Sequence, residues 1–327
     1  MNKPLIALVC LWLSLESRGL AEAQFPTSQA IERKIAFWQK IFTRYGSQQL
    51  VLHDKQDPRL ILGVIAIPDF GSTPAYREER DDRIDLITER YADALADFAG
   101  RGPSAQALSP LHRRLWNLYA KIPDARQRLL LGEIELRTQG GLADTFVQAY
   151  STSELYLPRM EKIFKSHGLP PELTRIVFVE SMWNLKARSK VGASGIWQLM
   201  PAAARPYIKV TRQRDDRNSP LLATQAAVRI LKSNYALLGT WPLAITAYNH
   251  GLGGMRRAVE QTGSRDLDDV IERYESPSFG FASQNFYAEF VAALRTHKAM
   301  KLGRIKDKDR PKSRIKVAVE AESSKAR

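Results

Sequence analysis

Apolar residues recur at helical spacing through the first half of the chain. A first amphipathic segment begins at Ser28 and carries seven apolar residues at this spacing: Ile31, Ile35, Phe37, Trp38, Ile41, Phe42 and Tyr45. The same spacing predicts further helices over 77–99, 109–121, 124–139 and 142–168, where the last range holds one helix or two. Between them, two apolar runs within residues 50–67, separated by Asp-Lys-Gln-Asp-Pro, predict a hairpin.

The second half of the chain is predicted to be helical as well. Pro170-Pro171 is a helix-starting signal, and the apolar helix that follows ends at Glu180-Ser181. After an irregular, glycine-containing stretch, further helices are predicted over 220–238, 241–249, 254–262, 266–274 and 282–301. The pattern therefore predicts a mainly α protein with a small hairpin.

Glu180 has an unusual position at the end of an apolar helix. Its neighbours are Phe178, Val179, Met182 and Trp183. Burial disfavours the charged form of a carboxyl group, and so does the negative end of a helix dipole, so we expect a raised pKa. A glutamic acid that keeps its proton near neutral pH is suited to act as a general acid in glycosidic cleavage. The alternative is a structural glutamate paired with Arg175 or Lys186.

Four segments of the chain resemble the signature segments of the lytic murein transglycosylases. They are ES at 180–181, GASGIWQLMP at 192–201, AYNHG at 247–251 and FGFASQNFYAEF at 279–290. The resemblance covers about residues 150–300 and is closest to the membrane-bound type D branch of the soluble-lytic-transglycosylase (SLT) superfamily. It implies a lysozyme-like helical catalytic domain, of the goose-lysozyme type, that cleaves the MurNAc–GlcNAc bond of peptidoglycan.

The resemblance also implies a reaction that needs a single carboxyl group. One glutamate, here Glu180, first protonates the leaving oxygen and then takes the proton of the substrate's own C6 hydroxyl group, which closes a 1,6-anhydro ring without water. A hydrolase commonly uses two carboxylates. The nearest acids downstream are Asp215 and Asp216, which lie among arginines and are interpreted as surface ion pairs.

Two residues near Glu180 in sequence match supporting positions of the family. Ser181 is implied to bind the acetamido region or the ring of the substrate, although a serine at a helix end also bonds to backbone. Gln198 is implied to hold polar groups of the substrate. Trp197 stands where the family often has methionine, and its indole either lines a sugar subsite or packs in the core.

Three later residues match family positions that face the glutamate. Tyr248 and Asn249 lie in AYNHG, and Tyr287 lies in QNFYAEF. A core aromatic with a satisfied hydroxyl group is the alternative for Tyr248. The Glu-Thr pair that precedes the tyrosine in some relatives is absent here, which removes the basis for one supporting contact. His250 is interpreted as structural or exposed.

The charge of the chain indicates a polyanionic partner. The formal net charge is +14, and residues 295–327 contribute twelve Lys or Arg against four Asp or Glu. The end of the chain, 303–327, is predicted to be a basic, disordered tail. Weak electrostatic contact of this tail with the wall or a membrane surface is one interpretation, and a solubilising tail is the other; nucleic acid is not expected for a secreted protein.

Residues 1–23 have the features of a secretory signal peptide. Lys3 precedes an apolar run that is too short to span a bilayer, and Ala21-Glu22-Ala23 is a cleavage site. Cys10, the only cysteine, lies within the run. We therefore expect the periplasm, with an extracellular location as the alternative. The scattered histidines give no metal motif, and neither a metal nor another cofactor is expected.

The sequence thus predicts four parts: a signal peptide at 1–23, a mostly helical N-terminal domain at 24–149, an SLT-type catalytic domain at 150–302 and the tail. The predicted function is non-hydrolytic cleavage of peptidoglycan glycan strands. Two alternatives stay open at this stage. One is a goose-type-lysozyme-like muramidase, which is a hydrolase, and the other is a non-catalytic wall-binding protein.

Overall fold

The computed structural model describes residues 24–67 and 74–305. The helices are α1 (Gln29–Thr43), α2 (Pro74–Arg101), α3 (Pro110–Tyr119), α4 (Pro123–Leu131), α5 (Ala143–Ser166), α6 (Ile176–Ser181), α7 (Pro201–Ala204), α8 (Pro220–Leu238), α9 (Trp241–His250), α10 (Leu252–Thr262), α11 (Leu267–Arg273) and α12 (Phe281–Lys301), and the strands are β1 (Gln49–Asp54), β2 (Ile61–Ala66) and β3 (Leu136–Gly140). The mainly α fold class is confirmed. The predicted signal peptide and the tail from residue 306 onward lie outside the described residues.

The chain divides into two compact units. In the described ranges, one unit comprises residues 36–148 and 296–305, and the other comprises residues 24–35 and 149–295. The division at 148/149 falls beside the predicted domain boundary, whereas the first turns of α1 belong to the unit that contains residues 149–295. The functional assignment of these segments stays a prediction.

The first unit contains a three-stranded antiparallel sheet in the order β2-β1-β3. The pairing of β1 with β2 confirms the predicted hairpin. The helix predicted over 124–139 is wrong beyond Leu131, because Gly132 adopts a left-handed φ of +73° that ends α4. The residues that follow extend and pair with β1 as β3, so a backbone partner distant in sequence decided their conformation.

The core of this unit lies between the sheet and helices α2 to α4. It contains buried apolar residues from each of these elements, namely Leu52, Leu60, Leu62, Ala94, Leu95, Phe98, Leu115, Tyr119 and Leu129. Asp54 at the end of β1 is fully buried and accepts hydrogen bonds from Arg128 at 2.9 and 3.3 Å. These charged groups are therefore part of the structure of this unit.

The second unit is helical, and its N-terminal segment packs within it. Phe25 contacts Trp241 and Phe290 with ring centroids at 6.3 and 5.2 Å, and Arg295 makes a bidentate ion pair with Glu32 at 2.7 Å. The segment predicted to form one or two helices is the single helix α5, which continues through Pro158. None of the helices in residues 24–67 and 74–305 is long and apolar enough to span a membrane.

Candidate active site

The candidate acid lies at the end of a short, buried helix. A 3-10 turn at Pro171–Arg175 leads into α6, whose first three residues are fully buried. Glu180 is in the last turn of α6, and the residue as a whole is only partly buried. Its predicted place at the end of this helix is confirmed, and its role as an acid stays a prediction.

The electrostatic setting of Glu180 suits a proton donor. Burial raises the pKa of the Glu180 carboxyl group from 4.5 to about 8, and no cation or hydrogen-bond donor in the described part of the chain lowers it. The alternative of a pair with Arg175 does not hold, because Arg175 donates to Glu161 and Thr174. Lys186 is exposed and bonds through its backbone to Asn184.

The backbone after Glu180 turns in an uncommon way. Met182 and Trp183 have φ values of +47° and +59°, a left-handed conformation that costs about 1–3 kcal/mol for each residue that is not glycine. Packing supplies the compensation, since the buried Trp183 ring contacts Phe178 at 5.8 Å and Tyr156 at 6.3 Å. The turn holds Glu180 and Ser181 at the end of α6 and directs the chain away from it.

Ser181 links the end of α6 to the segment 192–201. Its hydroxyl group donates to the carbonyl oxygen of Ile196 at 2.9 Å, with a longer contact of 3.4 Å to Val177 within the helix. The structure therefore places Ser181 beside Glu180 and engages its hydroxyl with backbone, as the alternative in the sequence analysis stated. Ser181 fixes the distance between the two segments that flank the carboxyl group.

Segment 192–201 is built around Gly195. The φ of Gly195 is +76°, and a Cβ atom there would lie 1.8 Å from the carbonyl oxygen of Arg217. The Gln198 side chain donates to the carbonyl oxygens of Gly195 at 2.7 Å and Ala187 at 3.3 Å. Gln198 is partly buried with a φ of +45°, and its side-chain nitrogen holds the segment in shape.

Trp197 is a core residue. Its indole is fully buried, stacks on Phe164 at 5.8 Å and donates to the hydroxyl oxygen of Thr224 at 2.9 Å. The two possibilities left by the sequence are thereby decided in favour of the core. Its backbone carbonyl oxygen, in contrast, faces the site and accepts a hydrogen bond from Tyr248.

Asp215 and Asp216 are confirmed as ion-paired residues, but the prediction that they lie on the surface is wrong for part of the cluster. Asp216 and Arg217 are only 8% and 7% exposed. Arg217 makes a bidentate pair with Asp215 and donates to the carbonyl oxygens of Gly192 at 2.7 Å and Leu199 at 2.9 Å. The Arg217 guanidinium lowers the pKa of Asp215, so Asp215 stays ionised and holds Arg217, which in turn clamps segment 192–201.

Tyr248 faces Glu180 from α9. Its hydroxyl group donates to the carbonyl oxygen of Trp197 at 2.9 Å. Burial, and then the charge of Glu180, raise the pKa of the Tyr248 phenol well above its usual value. The phenol is thus a permanent hydrogen-bond donor that lies within electrostatic reach of the acid.

Asn249 and His250 follow Tyr248 and have different surroundings. Asn249 is exposed, and its side-chain oxygen accepts a hydrogen bond from Ser283 at 2.8 Å, which ties the end of α9 to the start of α12. His250 packs edge-on against Phe279 and Tyr274 at 5.0 and 6.1 Å. Burial lowers the pKa of His250, which fits the structural role expected for it.

The Tyr287 hydroxyl group is bonded to the N-terminal segment of the chain. Tyr287 is buried in α12, and its hydroxyl group donates to the carbonyl oxygen of Pro26 at 2.8 Å. After burial, the groups that affect the pKa of its phenol are Arg295 and Glu32, not Glu180. Tyr287 therefore anchors the N-terminal segment on α12, and the expected approach to the glutamate is not observed.

One residue of the site was missed by the sequence analysis. Glu289, also in α12, is partly buried, and its pKa is raised to about 8 by burial and by the charge of Glu180. A search for acids near Glu180 along the chain does not reach it. The signal that was available is an acid flanked by Tyr287, Ala288 and Phe290 within an apolar helix.

In the described ranges, no group of three or more His, Cys, Asp or Glu residues is placed to hold a metal ion.

Comparison with known proteins gives one family and several relatives. Residues 160–271 match the family described as Transglycosylase SLT domain. Over 132 residues the chain is 33% identical to membrane-bound lytic murein transglycosylase D of Escherichia coli K12, which covers 40% of this chain and 28% of that protein. It is also 33% identical over 109 residues to a putative tributyltin chloride resistance protein of Alteromonas sp. M-1, which covers 33% of this chain and 53% of that protein.

Two solved structures are similar over longer ranges at low identity. The 70 kDa soluble lytic transglycosylase Slt70 of Escherichia coli has a TM-score of 0.35 at 18% identity, covering 69% of this chain and 35% of that one. An inactive mutant of the lytic transglycosylase Slt of Pseudomonas aeruginosa has a TM-score of 0.39 at 18% identity, covering 94% of this chain and 48% of that one.

Proposed function

We propose that this chain is a peptidoglycan lytic transglycosylase that uses Glu180 as its acid, since residues 160–271 match the family described as Transglycosylase SLT domain. The observation that carries the proposal is the setting of this residue. Glu180 is partly buried at a helix end, with its pKa raised to about 8 and without a cationic partner in the described ranges. At neutral pH it therefore holds the proton that glycosidic cleavage requires.

In the proposed reaction, Glu180 donates one proton to the substrate and then accepts one from it. Glu180 gives its proton to the oxygen that bridges MurNAc and GlcNAc, the bond from C1 of MurNAc to this oxygen breaks, and positive charge develops at the ring. The carboxylate of Glu180 then accepts the proton of the C6 hydroxyl group while that oxygen attacks C1. The products are a GlcNAc end and a 1,6-anhydro-MurNAc end, and Glu180 is again protonated. The attacking group belongs to the substrate, so the protein gains the advantage of an intramolecular reaction.

The second carboxyl group makes a muramidase the second candidate function, because hydrolases commonly use two carboxylates. The protonation state of Glu289 argues against it. With its pKa raised to about 8, Glu289 keeps its proton at pH 7, and a protonated carboxyl group is not a base for water. The non-catalytic alternative is disfavoured because Glu180 retains the properties of an acid.

The supporting residues have graded roles in this proposal. The Tyr248 hydroxyl group donates to the Trp197 carbonyl oxygen and stabilises the part of the site that contains Glu180. Gln198 and Ser181 hold the backbone that borders the sugar, and Asn249 presents an exposed amide next to it. Tyr287 contributes only by anchoring the N-terminal segment on α12.

The proposed partner is the glycan strand of peptidoglycan, in the periplasm or the wider cell envelope. The net charge of +14 favours binding to acidic wall groups, with the basic tail adding a weak electrostatic contact. Deletion of residues 303–327 should reduce binding to purified wall in low salt and have little effect in high salt. Equal binding of the full and shortened chains in low salt would remove the proposed role of the tail.

Digestion of purified sacculi, followed by mass spectrometry of the soluble products, tests the function. We expect anhydro-muropeptides from the wild-type protein and none from Glu180→Gln. Glu260→Gln is a matched control, because Glu260 lies exposed on α10 with a 3.6 Å ion pair to Arg256. Products with reducing ends that depend on Glu180 would establish the muramidase instead. Absence of any product from the wild type would favour the wall-binding protein.

A further inference from the structure

The positive charge of residues 149–295 is concentrated in one segment. Residues 181–214 contain seven Lys or Arg and no Asp or Glu. The rest of this range, 149–180 and 215–295, contains twelve Lys or Arg against thirteen Asp or Glu and is therefore close to neutral. A group of like charges opposes the compact state through repulsion. The concentration of cations directly after Glu180 therefore calls for a partner that the cations bind.

The first part of this segment forms a hairpin, 188–194, that is continuous with the candidate site. Its turn closes with a hydrogen bond of 3.2 Å from the Gly192 amide to the carbonyl oxygen of Ser189. The residue that leads into the hairpin, Ala187, accepts a hydrogen bond from the Gln198 side chain at 3.3 Å. The hairpin is thus held by the same glutamine that shapes segment 192–201.

A second hairpin, 209–216, is joined to the first. Backbone hydrogen bonds of 2.8 and 2.9 Å connect its two arms. Arg217, at its base, donates to the carbonyl oxygen of Gly192 at 2.7 Å, and Ser194 donates to the side-chain oxygen of Asn218 at 2.8 Å. These bonds hold the two hairpins side by side, next to the segment that follows Glu180.

Five exposed cations of the two hairpins and their flanking residues form what we call the basic rim: Lys186, Arg188, Lys190, Lys209 and Arg212. The two acids nearest to the rim along the chain are already engaged, Asp215 by Arg217 and Asp216 by Arg214, both at 2.7 Å. No rim side chain makes an ion pair within the described ranges. The rim therefore presents uncompensated positive charge to solvent beside the candidate site.

We propose that the basic rim binds the carboxylate groups of the peptides that MurNAc units carry, so that the protein prefers peptide-bearing glycan strands to strands without peptides. This inference rests on the function proposed above and names the part of the substrate that lies beside the cleaved chain. The peptides branch from the MurNAc ring whose bond Glu180 is proposed to cleave, and the rim continues from the segment that borders Glu180. Carboxylates are the anionic groups of these peptides, and Lys and Arg bind them by charge-assisted hydrogen bonds.

A membrane surface is the competing partner, since anionic headgroups also attract Lys and Arg. Stable binding to lipid requires a sizeable apolar face beside the cations. The turn of the first hairpin offers Val191, which is 77% exposed, between Lys190 and Gly192. The hydrogen bonds that join the rim to the candidate site favour the substrate over the membrane, because they fix the cations relative to Glu180.

Binding of full-length Glu180→Gln to soluble glycan strands tests the proposal, because this variant is expected to leave the strands intact. Three fluorescent probes are compared at low salt by anisotropy: peptide-bearing strands, strands freed of their peptides by an amidase, and peptide-bearing strands whose carboxylates have been converted to amides. We expect the first probe to bind at least about tenfold more tightly than the other two. High salt should remove most of this difference.

A pair of charge reversals in the same Glu180→Gln background assigns the preference to the rim. Lys186→Glu with Lys190→Glu should reduce the preference for peptide-bearing strands about tenfold, since each reversal replaces an attraction worth a factor of about two with a similar repulsion. The control, Lys162→Glu with Lys165→Glu, makes the same change of charge at exposed residues of α5 and should keep the preference within about twofold. Arg at positions 186 and 190 should preserve it. The basic tail is present in all of these proteins and does not affect the comparison.

Equal binding of peptide-bearing and amidated strands would overturn the proposal, and so would equal losses in the rim variant and the control. Vesicles of phosphatidylglycerol and phosphatidylcholine, compared with phosphatidylcholine alone, test the membrane. Rim-dependent binding to the anionic vesicles that is as tight as binding to peptide-bearing strands would assign the rim to a membrane surface instead. The binding measurements do not depend on turnover, so a wild-type protein that does not cleave sacculi would reject the proposed function while the role of the rim is still decided.

Discussion

Replacement of Glu180 by glutamine should make the folded protein more stable at neutral pH. The native pKa of about 8 exceeds the ordinary value of 4.5, so between these values the folded state holds a proton that the unfolded state has released. The folded state then binds more protons than the unfolded state, and the free energy of unfolding falls as pH rises through this window. Glutamine does not titrate, so the variant lacks this loss.

The size of the effect follows from the pKa values. Each pH unit above 4.5 costs the wild type about 1.36 kcal/mol relative to the variant, until the native group also ionises near pH 8. At pH 7 the variant should therefore be more stable by about 3 kcal/mol, while at pH 4 the two proteins should be nearly equal. A stabilising substitution at a proposed catalytic residue is the expected trade between stability and activity.

Urea unfolding of the wild type, Glu180→Gln and Glu260→Gln at pH 4, 5.5, 7 and 8 measures this difference. Hydrogen exchange of the buried amides of α8 assigns the effect to the unit that contains Glu180. The wild type and Glu260→Gln should change in parallel with pH, and Glu180→Gln should diverge from both. If the difference between Glu180→Gln and the wild type were the same at pH 4 and pH 7, Glu180 would have an ordinary pKa and the argument for its role as an acid would be refuted.

Three further substitutions test the support of the site. Arg217→Met leaves buried acceptors unpaired and should lower the free energy of unfolding, measured in urea, by about 3–5 kcal/mol. The control Arg256→Met, at an exposed residue, should change it by no more than about 0.5 kcal/mol, and equal effects of the two substitutions would contradict the clamp. Gly195→Ala places a Cβ atom against the backbone at a residue with a left-handed φ, so the free energy of unfolding should fall by more than about 2 kcal/mol in thermal denaturation. Unchanged stability would show that segment 192–201 can adapt. Tyr248→Phe removes the hydrogen bond to the Trp197 carbonyl oxygen, so we expect a loss of about 1 kcal/mol in stability and a several-fold lower kcat on sacculi. An unchanged kcat would mean that the Tyr248 phenol only contributes to packing.

Local pattern was sufficient for much of the fold. The apolar spacing predicted α1, two apolar runs predicted the β1–β2 hairpin, and helix start and stop signals predicted α8, because each of these signals is carried by neighbouring residues. It failed at Leu136–Gly140, where the backbone pairs with β1. The partner strand lies more than 80 residues earlier, and no local pattern reports a pairing at that separation.

For the site, the sequence by itself determined the candidate acid. An acid at the end of an apolar helix is desolvated wherever the helix packs, so the raised pKa of Glu180 followed from its neighbours alone. The contacts of Tyr287 and Trp197 did not follow, because an aromatic side chain in a signature segment packs equally well towards a core or a cleft. Glu289 became part of the candidate site only through tertiary structure. The charge of Glu180 raises its pKa although the two residues lie more than 100 positions apart, because electrostatic interactions depend on distance in space and not on separation along the chain.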